Sequence, residues 1–186
     1  LRACVAMQEA LRSFTLPGRP DEPLKVCFGL HTGPLVMGTI GGGERLDTGT
    51  VGDVVNTAAR LEGMTRIYGV DVLISGEVRE SLEDSGSFVL RELDQVRAKG
   101  KNEPVRIYEV LDGLVETTRS ERMQTRPDFY AGLKAYRQGD IESAAVYFRR
   151  CSRTDPVVAV YLDRCETFIN EGVPEDWDGV TVLKRK

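Results

Sequence analysis

A mixed α+β fold with an all-helical C-terminal appendage is what this sequence predicts, on three observations. Helix-like apolar patterns and short alternating runs follow one another from Leu1 to Val110. A polar, charged stretch without clear periodicity then interrupts the chain from residue 112 to 126. Beyond it only helix-like patterns recur, up to a short closing run, WDGVTVL. A length of 186 residues leaves room for one ordinary domain and a small appendage of this kind.

The apolar share of 41% suffices for a buried core, which excludes wholesale disorder. A net charge of -4 with scattered basic residues argues against a nucleic-acid groove, which needs a concentrated basic face. A few placed cations in a cleft can still bind an anion. Cys4, Cys27, Cys151 and Cys165 lie far apart, with no CxxC pair and no metal-ligand spacing, so buried free thiols in a reducing cytoplasm are expected. No apolar run reaches the length of a membrane span, and no signal peptide precedes the first helix. Leu1 has no initiator Met before it and the first helix starts at once. The chain therefore reads as a fragment of a longer polypeptide, in which a membrane-anchored or sensor-bearing region can lie upstream.

Residues 1–14 place Val5, Ala6, Leu11 and Phe14 near helical spacing, and LPGRPDEP is a proline-rich break. Leu24, Val26, Phe28 and Leu30 alternate as a strand. His31-Thr32-Gly33-Pro34 then turns the chain into a second apolar run, LVMGTI, and a hairpin is predicted. His31 is the only histidine; no G-x-S-x-G elbow or activated cysteine accompanies it, so a structural turn residue is expected. Gly41-Gly42-Gly43 has neither P-loop nor dinucleotide-fold spacing and reads as a flexible loop. VDVLI is a short strand, Ser75 an N-cap for SGEVRESLED, and SFVLREL a further strand. Lys99-Gly100-Lys101 makes a basic turn, closed by the strand Val105 to Val110.

The stretch around which all this is organised runs from Asp47 to Glu62, DTGTVGDVVNTAARLE. Val54, Ala58 and Leu61 recur at i, i+4, i+7 and fall on one buried helical stripe. Asn56 and Arg60 sit one turn apart on a different face, so an amide and an always-charged guanidinium project to the same side. Two readings fit: an anion-reading pair, or Arg60 paired with a nearby carboxylate while Asn56 solvates the helix start. Helix pattern alone favours the second.

Resemblance reverses that preference. LKVCFGLHTGPLVMGTIG at 24–41, TVGDVVNTAARLE at 50–62, GVDVLISGEV at 69–78 and AKGKNEPVRIYEV at 98–110 follow one another in a known order and spacing. Leu24 to Val110 thus resembles the second half of a class III adenylate/guanylate cyclase catalytic domain, over a little over half of the chain. The resemblance implies a ferredoxin-like α+β domain with helices over a largely antiparallel sheet. It implies active sites shared across a head-to-tail homodimer. It also implies attack of a ribose 3'-hydroxyl on its own α-phosphorus, giving a 3',5'-cyclic monophosphate and pyrophosphate.

Residue by residue, the same resemblance gives Arg60 the charge at the α-phosphoryl group, Asn56 the ribose and Lys99 the triphosphate, with Lys101 left as surface. The position seven before Asn56, where the family usually reads the purine with Asp or Thr, is Gly49, flanked by Thr48 and Thr50. Gly49 and Thr50 are accordingly the candidate base contacts, and ATP is favoured over GTP only as the commoner substrate. In the family two divalent metals, Mg2+ or Mn2+, are held by an aspartate pair in the first half of the domain. Neither motif occurs here, so no metal ligand is expected in this chain. Asp47 and Asp53 are no substitutes, because Asp53 belongs to the helix start, where a carboxylate complements the dipole. The alternative of another class is a non-catalytic, cyclase-like regulatory or interaction module.

Beyond the 112–126 stretch, Gly132, Tyr136, Gly139, Ala144, Phe148, Cys151 and Pro156 fall where a tetratricopeptide helix-turn-helix has its small, aromatic and closing positions. VVAVYLDRCETFINEG resembles the first helix of a next repeat. Such a piece cannot bury its core alone and should pack on the cyclase half or on a partner. The expected organisation is a partial cyclase domain at 1–111, a linker at 112–126, a TPR-like helical segment at 127–172 and a tail at 173–186.

Overall fold

The computed structural model describes residues 1–40, 47–83, 86–98 and 103–183. Helix α1 (Arg2–Arg12) leads into a small hairpin of β1 (Thr15–Leu16) and β2 (Arg19–Pro23), where the sequence suggested only a proline-rich break. Gly18, at φ +79, supplies the left-handed residue of that turn. There follow β3 (Phe28–Leu30), β4 (Val36–Ile40), β5 (Asp47–Val51), α2 (Asp53–Tyr68), β6 (Val72–Ser75), α3 (Gly76–Glu80), β7 (Leu90–Ala98) and β8 (Val105–Val110). The C-terminal part holds α4 (Glu116–Gln124), α5 (Arg126–Arg137), α6 (Ile141–Arg149), α7 (Pro156–Glu171) and β9 (Thr181–Leu183).

The main sheet has the order β3-β6-β8-β7-β9. It is mixed rather than largely antiparallel: β6 and β7 each pair antiparallel with β8, while β3 with β6 and β7 with β9 are parallel. Between β3 and β6 the chain carries α2 across the sheet, and such a crossover returns a strand in the parallel sense. Period-2 alternation then gives each face its own core. Val72, Ile74, Tyr108 and Val110 join Cys4 of α1 and Val78 of α3 on one side. Leu73, Leu93, Val96 and Ile107 meet Leu61, Met64 and Tyr68 of α2 on the other.

The predicted hairpin of residues 24–40 does not form. Only Phe28–Leu30 is strand, and it pairs with β6; β4 pairs instead with β5, from Val36 opposite Val51 to Ile40 opposite Asp47. The connection from His31 to Leu35 is too long for a tight turn, and it runs over the start of α2, with Gly33 beside Val54 and Gly52 beside Pro34 and Leu35. The glycine triplet at 41–43, read as a flexible loop, lies outside the described residues.

Gly29 of β3 sets how closely α2 lies on the sheet. A Cβ there would stand 2.1 Å from the Glu62 amide nitrogen and 2.6 Å from the Ala58 carbonyl oxygen, both helix backbone, which has no rotamer with which to yield. Gly29→Ala should therefore push α2 outward and cost at least about 1 to 3 kcal/mol, the usual range for overpacking. Urea unfolding against the parent checks this, and an unchanged midpoint would mean that the helix is not seated on β3 as described.

The 112–126 stretch, expected to be a linker, contains α4. Its apolar periodicity is weak because the residue it buries is charged: Arg122, which pairs with Glu109 of β8. The segment from 173 to 183 is likewise not loose, since β9 adds a parallel strand beside Val96 to Ala98 of β7. The C-terminal helices share one core with the sheet, in which Phe129, Tyr136, Phe148 and Tyr161 are continuous with Tyr68, Leu73 and Ile107. Gly132 leaves space for the Phe148 ring, whose Cε1 would lie 2.7 Å from any Cβ at that position, so α5 and α6 pack closely. Trp177 covers the end of this aromatic group, donating from Nε1 to the Tyr136 carbonyl at 3.2 Å.

The junction between sheet and appendage is ionic at its centre. Arg91 of β7, fully buried, donates from Nε to Glu109 at 2.9 Å, and its two terminal nitrogens hold the Asp155 carboxylate, the N-cap of α7. Its guanidinium lies 4.7 Å from the Phe129 ring centroid. Cys151 and Cys165 are buried free thiols near this junction and within α7, each pushed up by burial to about 11, so both stay protonated and inert at neutral pH.

Candidate active site

The site begins where β5 delivers the chain to α2. Gly52 is the N-cap, in an extended conformation without a side-chain cap, and Asp53 follows in the first turn, where a carboxylate suits the exposed N–H groups. At the other end Gly69, at φ +62, closes the helix in the left-handed conformation that glycine adopts without strain. The buried stripe expected from Val54, Ala58 and Leu61 continues through Thr65 and Tyr68. Its first two members are only half-buried. Full burial starts at Leu61, so the C-terminal half of α2 is the anchored half.

Asn56 and Arg60 are both exposed on the N-terminal half. Among the described residues neither makes a side-chain hydrogen bond or ion pair, and the carboxylate next to them on the helix, Glu62, is engaged by Arg66 at 2.8 Å. The structural alternative for Arg60, a local carboxylate partner, is thus not seen among the described residues. Gly49 and Thr50 lie on β5, opposite Gly38 and Met37, on the strand that leads directly into α2. Gly49 is half-buried and Thr50 exposed. Lys99 falls outside the described residues, as does Lys101.

His31 lies away from this pair. Its Nδ1 is 2.8 Å from Ser75 Oγ, which in turn accepts from the Val78 amide as the N-cap of α3, so the histidine ties the chain leaving β3 to the start of that helix. Among the described residues no group of three or more His, Cys, Asp or Glu side chains gathers where it would hold a metal ion. No helix among them is long and apolar enough to cross a membrane.

A second set of polar groups at the far end of α2 escaped the sequence reading. The Tyr68 hydroxyl donates to Asp94 at 2.5 Å and accepts from Arg164 at 3.0 Å, and Arg164 also reaches Asp94 at 2.8 Å. Burial, helped by the adjacent Asp94 carboxylate, pushes the Tyr68 hydroxyl far above the ordinary phenol range, so it remains a donor. Tyr68 was legible as a continuation of the 54, 58, 61 stripe, one step beyond Thr65. Arg164 carries no such signal, since it stands beside the buried Tyr161 and Cys165 in a helix whose neighbours sequence cannot name.

A mixed sheet is here crossed by a helix that shows solvent an amide and a guanidinium, neither with a side-chain partner among the described residues, which is the arrangement of a domain able to offer donors to an anion. Comparison with known proteins gives the family of the domain. The family model for the adenylate and guanylate cyclase catalytic domain matches residues 2–112, and the chain belongs to that family. It is 31% identical over 169 residues to an adenylate cyclase, terminal-differentiation specific, of Dictyostelium discoideum, covering 89% of this chain and 8% of that protein. It is 42% identical over 117 residues to an adenylate cyclase of Anabaena cylindrica, covering 59% of this chain and 23% of the relative. The crystal structure of the adenylyl cyclase CyaB from P. aeruginosa overlaps it with a TM-score of 0.40 at 29% identity, over 56% of this chain and 48% of that one. The chain thus spans less than a quarter of the length of either curated relative. The first of those matches is long enough to run past the cyclase region into the C-terminal helices.

Proposed function

We propose that this chain supplies the Asn56 and Arg60 side of a nucleotidyl cyclase site, which forms cyclic AMP and pyrophosphate from ATP. The observation that carries the reading is that Asn56 and Arg60 are exposed, without a side-chain partner among the described residues, on the helix whose GDVVNTAARLE sequence lies within the family match. A guanidinium held on a rigid helix stabilises the charge that grows on the α-phosphoryl oxygens, and it needs no reorganisation to do so. One turn earlier, Asn56 orients the ribose so that its 3'-hydroxyl stands in line with the α-phosphorus. Lys99 holds the triphosphate, and Gly49 with Thr50 lies under the base. GTP remains the competing substrate, because Gly49 offers no side chain with which to choose. Members of this family use divalent metal ions, and Mg2+ or Mn2+ would be held by the aspartates of the other half of the domain.

Shared sites imply a homodimer. Leu35, Val36 and Met37, at 48%, 73% and 69% exposure, form an apolar strip leading into and along β4, and it suits burial against a second domain. The C-terminal helices are read as a tetratricopeptide-like pair, α5 and α6, with α7 as the first helix of a further unit. Their role is docking on the cyclase half within 1–111. The alternative reading is a non-catalytic, cyclase-like regulatory or interaction module that carries these helices as a docking tail.

Complementation separates the two readings. Chain 1–186 alone should form no cyclic nucleotide. Mixed with a cyclase chain that keeps its metal aspartates but has alanine at the positions matching Asn56 and Arg60, it should restore cyclic AMP production from ATP. Failure to restore it, with association demonstrated, favours the module; activity from 1–186 alone would overturn the metal argument.

A further inference from the structure

We infer that the C-terminal helix α7 positions the catalytic helix, with Arg164 acting as a positioning residue for Asn56 and Arg60 through Tyr68; the inference rests on the cyclase reading of that pair. The four fully buried residues of α2, Leu61, Met64, Thr65 and Tyr68, all lie in its second half. The first half, which carries Asn56 and Arg60, has only half-buried Val54, Thr57 and Ala58 on its inner side, and rests on the sheet where Ala58 meets Gly29 of β3. The direction in which the site residues point is therefore set by that seat on β3 together with the buried C-terminal end.

That end is held from the appendage at two points. At the first, Pro156, the opening residue of α7, lies so close to Gly69 that a Cβ on the glycine would stand 2.6 Å from the proline Cβ. At the second, two turns along α7, Arg164 donates to the Tyr68 hydroxyl at 3.0 Å and to Asp94 at 2.8 Å, and Tyr68 donates to the same Asp94 oxygen at 2.5 Å. Thr181 of β9 donates to that oxygen as well, at 2.8 Å, so both the helix and the last strand of the appendage converge on Asp94. The Arg164 guanidinium also lies over the Tyr68 and Tyr161 rings, at 5.4 and 5.1 Å from their centroids. Tyr161 fixes α7 itself to the sheet by donating to the Leu93 carbonyl at 2.8 Å.

A clamp at one end of a rigid helix acts as a lever at the other. Arg60 lies about 12 Å along the axis from Tyr68, so a tilt of about 5° at the clamp moves it by about 1 Å. A displacement of that size can cost up to about a hundredfold in rate without touching the chemistry. The appendage then has a purpose beyond burying apolar surface: it fixes the angle of the helix that presents the charge-stabilising pair.

The test uses Arg164→Gln, Arg164→Lys and Tyr68→Phe in the polypeptide that supplies both halves of the domain, with Arg60→Ala alongside. Arg164→Gln should lower kcat roughly ten- to a hundredfold with KM for ATP little changed. It should raise amide exchange along α2 while α5 and α6 keep their protection. Arg164→Lys, which keeps the charge but not the two-pronged reach, should recover part of both effects, and Tyr68→Phe should follow Arg164→Gln. Unchanged exchange in α2 overturns the clamp. Loss of protection in α2, α5 and α6 together, with no recovery by lysine, assigns Arg164 a merely structural role and also overturns it. If Arg60→Ala leaves turnover intact, the reading of the site fails and the positioning role with it, a result distinguishable from a failed clamp by the Arg60→Ala rate alone.

Discussion

Replacing Arg91 by methionine should destabilise the chain by about 3 to 5 kcal/mol, the usual cost of removing one partner from a buried ion pair. Arg91 is the cation shared by two carboxylates, Glu109 on the neighbouring strand and Asp155 at the head of α7, and both carboxylates are themselves buried. Without it Glu109 retains Arg122, but Asp155 is left with the Val157 amide, at 3.1 Å, as its remaining partner in the described structure. A carboxylate in that position must either stay charged in a low-dielectric setting or take up a proton, and both options raise the energy of the folded state. Arg97→Met is the control. Its ion pair with Asp178, at 2.5 Å, joins the same strand to the same appendage but is solvent-exposed, with the Asp178 side chain 47% accessible. It should cost less than about 1 kcal/mol. Urea unfolding of the three chains at neutral pH measures both values. Equal losses for Arg91→Met and Arg97→Met would show that burial adds nothing to the Arg91 network. Exchanging all four charges for apolar residues of similar volume should cost far less than Arg91→Met alone, since no ion is then stranded.

Arg60→Ala should lower turnover by about 100- to 1000-fold, equivalent to about 2.7 to 4 kcal/mol, with little change in KM for ATP. The split follows from when the interaction forms. Charge on the α-phosphoryl oxygens builds up on the way to the transition state, so a donor aimed there binds substrate weakly and the transition state strongly. The variant should also fold normally, because Arg60 is exposed and has no partner among the described residues whose loss would weaken the structure. Its unfolding midpoint should stay within the roughly 0.5 kcal/mol expected of an ordinary surface change. Cyclic AMP production at saturating ATP, with magnesium or manganese present, gives kcat. Normal turnover in a folded Arg60→Ala protein would remove Arg60 from the chemistry. A fall in turnover matched by a fall in stability would move it from chemistry to scaffold.

Sequence by itself determined the parts of this protein that depend on near neighbours. The Val54, Ala58, Leu61 stripe and the solvent-facing placement of Asn56 and Arg60 follow from 3.6-residue geometry, and Ser75 caps α3 as its position before the helix suggested. The four cyclase-like segments likewise sit inside the family match. What only the tertiary structure decided is which distant partners each segment meets. The apolar run at 35–40 was equally able to pair before or after itself in sequence, and β5 rather than β3 took it. The 112–126 stretch looked like a linker because the side chain α4 buries is an arginine, and hydrophobic periodicity does not register a buried charge. Arg91, Glu109, Arg122 and Asp155 look in sequence like ordinary surface residues. Their partners lie as far as 64 positions away, and a charged side chain is stable in a core only when such a partner is brought to it. The same holds for Arg164 and Tyr68, 96 residues apart, whose meeting joins the C-terminal helices to the helix carrying the site.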